Sequence, residues 1–143
     1  MKTVRQLLEI KGHDVVVISP NASVFDAMQL MTTQNIGALL VLDAANKLVG
    51  IVSERDCARK IANLHRPMGD VLVSDIMTPK IAYVRPEQTN EECMALITEK
   101  RVRHLPVLEN GHLIGLLSIG DLVKDTISEK DFIIEQLVNY IRG

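Results

Sequence analysis

Gly50-Ile51-Val52-Ser53-Glu54-Arg55-Asp56 returns later in the chain as Gly115-Leu116-Leu117-Ser118-Ile119-Gly120-Asp121. Each stretch reads as an apolar strand that passes through a serine into a helix, with an aspartate three residues after the serine. The match continues upstream. Val41-Leu42 falls on Val107-Leu108, Leu30 on Leu96, Met28 on Met94, and Ile18-Ser19-Pro20 on Val84-Arg85-Pro86. One residue is lost in the turn after the Val-Leu pair. The chain is therefore written twice. A unit of this size, roughly 65 residues, exceeds the ~20–50 of solenoid repeats. The expected arrangement is two modules about a pseudo-twofold axis, with a cleft where they meet that suits a small ligand.

Both copies share an internal order. An extended apolar run, Val15 to Ile18 or Ile81 to Val84, is stopped by Pro20 or Pro86. A helix follows, its apolar stripe being Val24, Ala27, Met28 and Met31 in the first copy and Cys93, Met94 and Ile97 in the second. Thr89 and Glu92 form a capping-box pattern, with Ser23 and Asp26 as the weaker counterpart. Two β runs come next, Ala38 to Leu42 with Leu48 to Val52, and His104 to Leu108 with Leu113 to Leu117. Asn110-Gly111 between the later pair is a strong hairpin signal, because both residues tolerate positive φ. A second helix opens at Ser53 or Ser118. The fold class is α/β (α+β), built from two β-α-β-β-α repeats and a C-terminal helix.

The expected boundaries are 4–62 for the first repeat, 63–79 for a linker with a short helical turn, 80–127 for the second repeat and 128–143 for an amphipathic helix. On that last helix Phe132, Ile133, Leu137, Val138 and Ile141 face one way. They are suited to packing on the chain's own body or to meeting a partner.

Sixteen basic against eighteen acidic residues give a net charge of −2, and aromatic residues make up only 3% with no Trp. Neither a positive stripe for phosphate backbones nor a stacking platform is present, so nucleic acid is not expected as a partner. Cys57 and Cys93 are the only cysteines and belong to no C-x-x-C pair, as in a reducing compartment. Charges at Lys2, Arg5, Glu9 and Lys11 interrupt any signal-peptide core, and no run approaches the ~18 apolar residues of a membrane span. A cytoplasmic protein without a membrane partner is expected. His13, His65 and His112 lack metal-ligand spacing, so no metal is assigned.

Ser-x-x-Asp is also an ordinary helix N-cap pattern, and similar spacings occur at Ser23/Asp26, Thr89/Glu92 and Ser128/Asp131. Position in the repeat separates Ser53 and Ser118 from these. There a buried strand gives way directly to a helix N-terminus, whose amides and dipole favour anions. A carboxylate at that point can accept two hydrogen bonds from a ribose diol, and the hydroxyl can turn toward a sugar or phosphate oxygen. The ligand reading is placed ahead of the capping reading, and one residue can serve both.

The tandem pattern closely resembles a pair of cystathionine β-synthase (CBS) domains. The segments that carry the resemblance are Asp75-Ile76-Met77-Thr78-Pro79, Arg103-His104-Leu105-Pro106-Val107 and the two Gly-to-Asp stretches quoted above, and it spans about Val4 to Ile127. It implies two modules packed head to head and clefts binding adenosine-containing ligands: AMP, ADP, ATP, NAD(H) or S-adenosylmethionine. It also implies that Asp56 and Asp121 are ribose acids and that Ser53 and Ser118 contact sugar or phosphate. Lys80, Ile81 and Ala82 would meet the adenine edge, with Val15 as the first-copy equivalent. Arg103, His104, Leu105 and Pro106 would line the phosphate and base side. Arg55, Ile119 and Gly120 fall within the same junctions, and Ile36, Gly37 and Ala38 stand opposite the Arg103 segment.

The copies differ here. Lys100, Arg101, Arg103 and His104 are matched by Gln34, Asn35, Gly37 and Ala38. The Asp121 site is thus expected to be the better formed, although Lys100, Arg101 and Arg103 also read as a solvated helix end and His104 as a core histidine. The resulting expectation is a regulatory sensor with no catalytic cofactor. It would bind an adenine nucleotide (AMP first, ATP or NAD(H) next), form a homodimer and signal to an effector protein whose identity is open. The alternatives are a ligand-free adaptor or, less favoured, a small enzyme using Cys57 or Cys93, for which no local base is supplied.

Overall fold

The computed structural model describes residues 2–142. It forms two compact units, one of residues 15–81 and the other of the segment up to Asp14 together with Ala82 onward.

In the first of these, β1 (Val17–Ile18) pairs in parallel with β2 (Ala38–Leu42), which pairs antiparallel with β3 (Leu48–Ser53). Between β1 and β2 runs α2 (Val24–Gln34), capped by the Ser23 hydroxyl and ended by Asn35 in the left-handed region. After β3 comes α3 (Glu54–Leu64), followed by a single 3₁₀ turn and α4 (Val73–Ile76). Val24, Ala27 and Met31 pack with Leu39, Val41, Val52, Cys57, Val71, Val73 and Ile76 into one core. The apolar stripe read from the sequence is the buried face of α2, with Met28 partly buried beside it.

The other unit repeats the plan with α5 (Asn90–Lys100), β4 (His104–Glu109), β5 (His112–Ser118) and α6 (Ile119–Arg142). Its extended entry run is reduced to Val84, a parallel bridge to Val107. Its amide donates to Pro106 O at 3.0 Å, and its carbonyl accepts from Leu108 N at 3.0 Å. In both copies the expected entry strand is shorter than the apolar run, since it has one pairing neighbour and a proline close behind it. Asn110 and Gly111 take φ of 51° and 80°, making the two-residue turn that their side chains favour. Both hairpins slip register at the Val-Leu pair, between Val41 and Leu42 and between Val107 and Leu108.

Two expectations are corrected. The leading helix α1 (Val4–Lys11) does not pack with the repeat it precedes. Val4, Leu7 and Leu8 join Val84, Cys93, Ile97, Leu105, Val107, Leu117 and Leu122 in the core of the later copy. The exchange is symmetric, because α4 closes the core of the earlier copy. Val4 N donates to Gln88 O at 2.7 Å and Arg5 N to Pro86 O at 3.0 Å. Likewise Val73 N donates to Ala22 O at 2.8 Å and Ser74 N to Pro20 O at 3.0 Å. Each copy of the repeat is thus completed by a short helix from elsewhere in the chain.

Glycine makes room for α1 in one copy and for the residues just after α4 in the other. A Cβ on Gly115 would lie 2.6 Å from Leu8 Cδ2, and one on Gly50 would lie 2.5 Å from Met77 Sδ and 3.2 Å from Thr78 O. Both glycines sit at the same place in the strand that leads to the serine, so the repeated Gly-to-Asp stretch encodes a packing site as well as a junction.

The second correction concerns the C-terminus. Residues 119–142 form one uninterrupted helix, not a repeat helix followed by a separate one after Ile127. Ser128 and Asp131 carry the spacing of a cap, but the backbone runs straight through them.

Candidate functional site

At the end of β5, Ser118 is paired in register with His104, and at the end of β3, Ser53 is paired with Ala38. The chain then turns into a helix whose first amide is already bonded. Ile119 N donates to Arg103 O at 2.9 Å, and Glu54 N donates to Gly37 O at 3.0 Å. These bonds bring Arg103, His104, Ser118, Ile119, Gly120 and Asp121 to one junction, and Ile36, Gly37, Ala38, Ser53, Arg55 and Asp56 to the other.

Within each junction the serine and aspartate form a reciprocal cap. Asp121 N donates to Ser118 Oγ at 3.2 Å, while Ser118 N and Oγ donate to Asp121 Oδ2 at 2.7 and 3.0 Å. The first copy repeats this with Asp56 N to Ser53 Oγ at 3.1 Å, and Ser53 N and Oγ to Asp56 Oδ2 at 3.1 and 3.0 Å. The capping reading is therefore realised in both copies. Two of the amides expected to stand open at each helix start, the first and the third, are satisfied internally. The chemistry left to the junction is that of a fixed, oriented carboxylate.

A cation that sequence reasoning did not place in the site completes the Asp121 junction. Lys11, in the last turn of α1, donates from Nζ to Asp121 Oδ2 at 2.6 Å and to Leu116 O at 2.6 Å. Burial pushes the Asp121 carboxyl up. The ammonium of Lys11 and the amide and hydroxyl of Ser118 more than offset this and hold it below its ordinary value. Among the described residues Asp56 has a distant counterpart, Lys60 at 3.9 Å, whose ammonium donates to Ile76 O at 2.8 Å. The two junctions are thus alike in backbone and unlike in charge. No local pattern links Lys11 to Asp121; the exchange of α1 alone brings them together.

Arg103 is exposed at the mouth of β4, His104 is half-buried, and Leu105 and Pro106 are buried within the strand. Ile119 and Gly120 are exposed on the first turn of α6. Ala82 packs partly buried against the core that contains Leu105, whereas Lys80, Ile81 and Val15 belong to the unit of residues 15–81. Lys100 and Arg101 are exposed at the end of α5, with Arg101 in the left-handed cap position. Two surface clefts lie away from these junctions. One of about 440 Å³ is bordered by Lys2, Gln6, Ser128, Glu129 and Phe132, and the other of about 300 Å³ by residues of α2 and Met68.

Cys57 and Cys93 are buried, and burial, with help from neighbouring carboxylates, pushes both thiols up to about 11. Such thiols stay protonated at neutral pH and are poor nucleophiles. Among the described residues no group of His, Cys, Asp and Glu is arranged to hold a metal ion, and no helix is long and apolar enough to cross a membrane.

The CBS domain family profile matches twice, over residues 7–63 and 73–132, one match for each repeat. The chain belongs to the CBS domain family. The mitochondrial CBS domain-containing protein CBSX3 of Arabidopsis thaliana is 39% identical over 125 residues, which cover 85% of this chain and 61% of that protein. The crystal structure of the CBS domain NE2398 is 62% identical, covers 89% of this chain and 99% of that one, and superposes with a TM-score of 0.85. CBSX2, solved in complex with AMP, is 30% identical over 91% of this chain and 99% of its own, with a TM-score of 0.73. As a CBS domain protein the chain has the α+β repeats expected from its sequence.

Proposed function

We propose that this CBS protein is a regulatory module that binds an adenine nucleotide at the Ser118–Asp121 junction and passes the signal to a partner protein. The observation that carries this reading is the oriented carboxylate at the end of β5, charged at neutral pH and flanked by the Arg103 and His104 segment. A ribose diol donating to Asp121 would share or take over the place of Lys11 on Oδ2, and Arg103 would face the phosphate. Ala82 and the preceding Ile81 and Lys80 would meet the base. The AMP complex of the CBSX2 relative supports AMP as the ligand to test first, ahead of ATP and NAD(H). The Ser53–Asp56 junction has no cation in the place of Arg103 and is proposed as the weaker site, with Arg55, Gly37 and Val15 at its border. The module would act in the cytoplasm, without catalysis of its own.

Calorimetric titration with AMP, ADP, ATP, NAD(H), S-adenosylmethionine and adenosine tests this. A charge-assisted hydrogen bond contributes roughly 1.5–3 kcal/mol and each ~1.4 kcal/mol is tenfold in affinity, so adenosine should bind at least ~10-fold more weakly than AMP. Asp121→Ala should lose more affinity than Asp56→Ala. Binding of none of these compounds would favour an adaptor whose junctions serve only as caps.

A further inference from the structure

Each cation between Lys2 and Lys11 meets an acid of the later copy: Lys2 meets Asp125, Arg5 meets Glu109 and Lys11 meets Asp121. Of the three, Lys11 alone reaches a residue of the candidate site. Its ammonium carries three N–H donors. Asp121 Oδ2 and Leu116 O, each at 2.6 Å, take two of them. The third has no acceptor among the described residues, and the side chain is 34% exposed.

The carboxylate is lopsided in the same way. Oδ2 accepts from Ser118 N at 2.7 Å, Ser118 Oγ at 3.0 Å and Lys11 Nζ at 2.6 Å, whereas Oδ1 accepts from none of the described residues. An open donor thus stands beside an open acceptor. A ribose diol suits that pair, because a hydroxyl donates and accepts at once. With Oδ2 already crowded, the diol has a place on Oδ1 without evicting the lysine.

We infer that Lys11 is itself a nucleotide contact: its third N–H donates to a ribose hydroxyl while the diol donates to Asp121 Oδ1, and the bound nucleotide thereby ties α1 to the later copy. The inference rests on the nucleotide reading of the Asp121 junction. Asp121 fixes the ammonium beside the diol, so the two side chains act as one recognition unit.

The first copy supplies an independent parallel. Lys60, four residues after Asp56, donates to Ile76 O, on the last residue of α4, and lies 3.9 Å from Asp56 Oδ1. Four residues after Asp121 the chain has Asp125, so there the ammonium arrives from α1 instead. Two lysines from unrelated places in the sequence therefore stand beside the two aspartates. Each bonds across the seam between a repeat and the short helix that completes it. Only Lys11 also bonds its carboxylate, which confines the coupling to the Asp121 junction.

Coupling of this kind is reciprocal: whatever factor Lys11 adds to nucleotide affinity, nucleotide adds to the docking of α1. Two readouts on the whole chain test it. One is calorimetric titration with AMP. The other is hydrogen exchange in the last turn of α1, where Gly12 N donates to Leu8 O, with and without saturating AMP and relative to the amides of α5. Lys11→Met should bind AMP ~10-fold more weakly than wild type, as expected for one lost charge-assisted hydrogen bond. Saturating AMP should slow exchange at the end of α1 ~10-fold in wild type and not in Lys11→Met. Arg5→Met, which removes a different ion pair of α1, should keep the affinity and the response of wild type. An equal loss in Arg5→Met would assign the effect to a loosened helix and overturn the inference. Equal affinity of wild type and Lys11→Met, or α1 exchange indifferent to AMP in wild type, would overturn it while the nucleotide site stands. No binding of AMP to wild type would overturn both.

Discussion

Lys11→Met removes one contact that sets the Asp121 junction apart from the Asp56 junction. Methionine keeps most of the stem and removes the ammonium, and with it the bonds to Asp121 Oδ2 and Leu116 O. The side chains of Lys11 and Asp121 are 34% and 28% exposed, so solvent screens the pair. Exposed pairs contribute about 0.2–1 kcal/mol, and with its second bond this one should lie near the top of that range. At an m-value of about 2 kcal/mol/M the variant's urea midpoint at pH 7 should fall by roughly 0.5 M.

The effect has a definite pH dependence. Asp121 is held below its ordinary value in the folded protein, so its contribution is complete above the unfolded value of ~3.9 and disappears as pH falls through the folded value. The gap between wild type and Lys11→Met should therefore be full at pH 7 and narrow as pH falls through the folded value, leaving only the part due to the bond to Leu116 O. Equal midpoints at pH 7 would show that Lys11 does not hold Asp121. A gap unchanged at low pH would trace the loss to the bond with Leu116 O and the lysine stem instead of to Asp121.

Gly115→Ala should destabilise the fold by ~1–3 kcal/mol in urea unfolding, since its methyl meets Leu8 in a filled core. Gly37→Ala, with nothing within 4 Å, should cost far less, and equal midpoints for the two would contradict the packing account. Cys57 and Cys93 should resist iodoacetamide at pH 7.5 until denaturant is added, because thiols near 11 are less than ~0.1% ionised there. Rapid alkylation of the folded protein would reopen a nucleophilic role.

Much of the repeat is visible in the residues themselves. Val24, Ala27 and Met31 at helical spacing, the turn at Asn110-Gly111 and the caps at Thr89 and Ser23 are local signals with local outcomes. The destination of α1 is not local. Val4, Leu7 and Leu8 announce an apolar face, but both repeats offer it a groove over a glycine, and only the assembled chain shows that Leu8 meets Gly115. Lys11 on Asp121 follows from that exchange and was hidden for the same reason. Ser128 and Asp131 misled in the other direction, because a cap pattern inside an already nucleated helix does not stop it. Ser-x-x-Asp remains double in meaning: its geometry is that of a cap, and its place at the end of β5 is that of a ligand site.

The sugar contact decides between those meanings. AMP and its 2′,3′-dideoxy analogue should be titrated into wild type and into Asp121→Ala, so that loss of the cap is separated from loss of the diol. With each charge-assisted hydrogen bond contributing roughly 1.5–3 kcal/mol, removing the diol should weaken binding to wild type at least ~10-fold and leave binding to Asp121→Ala unchanged. Equal affinity of wild type for both nucleotides would contradict a ribose held by Asp121.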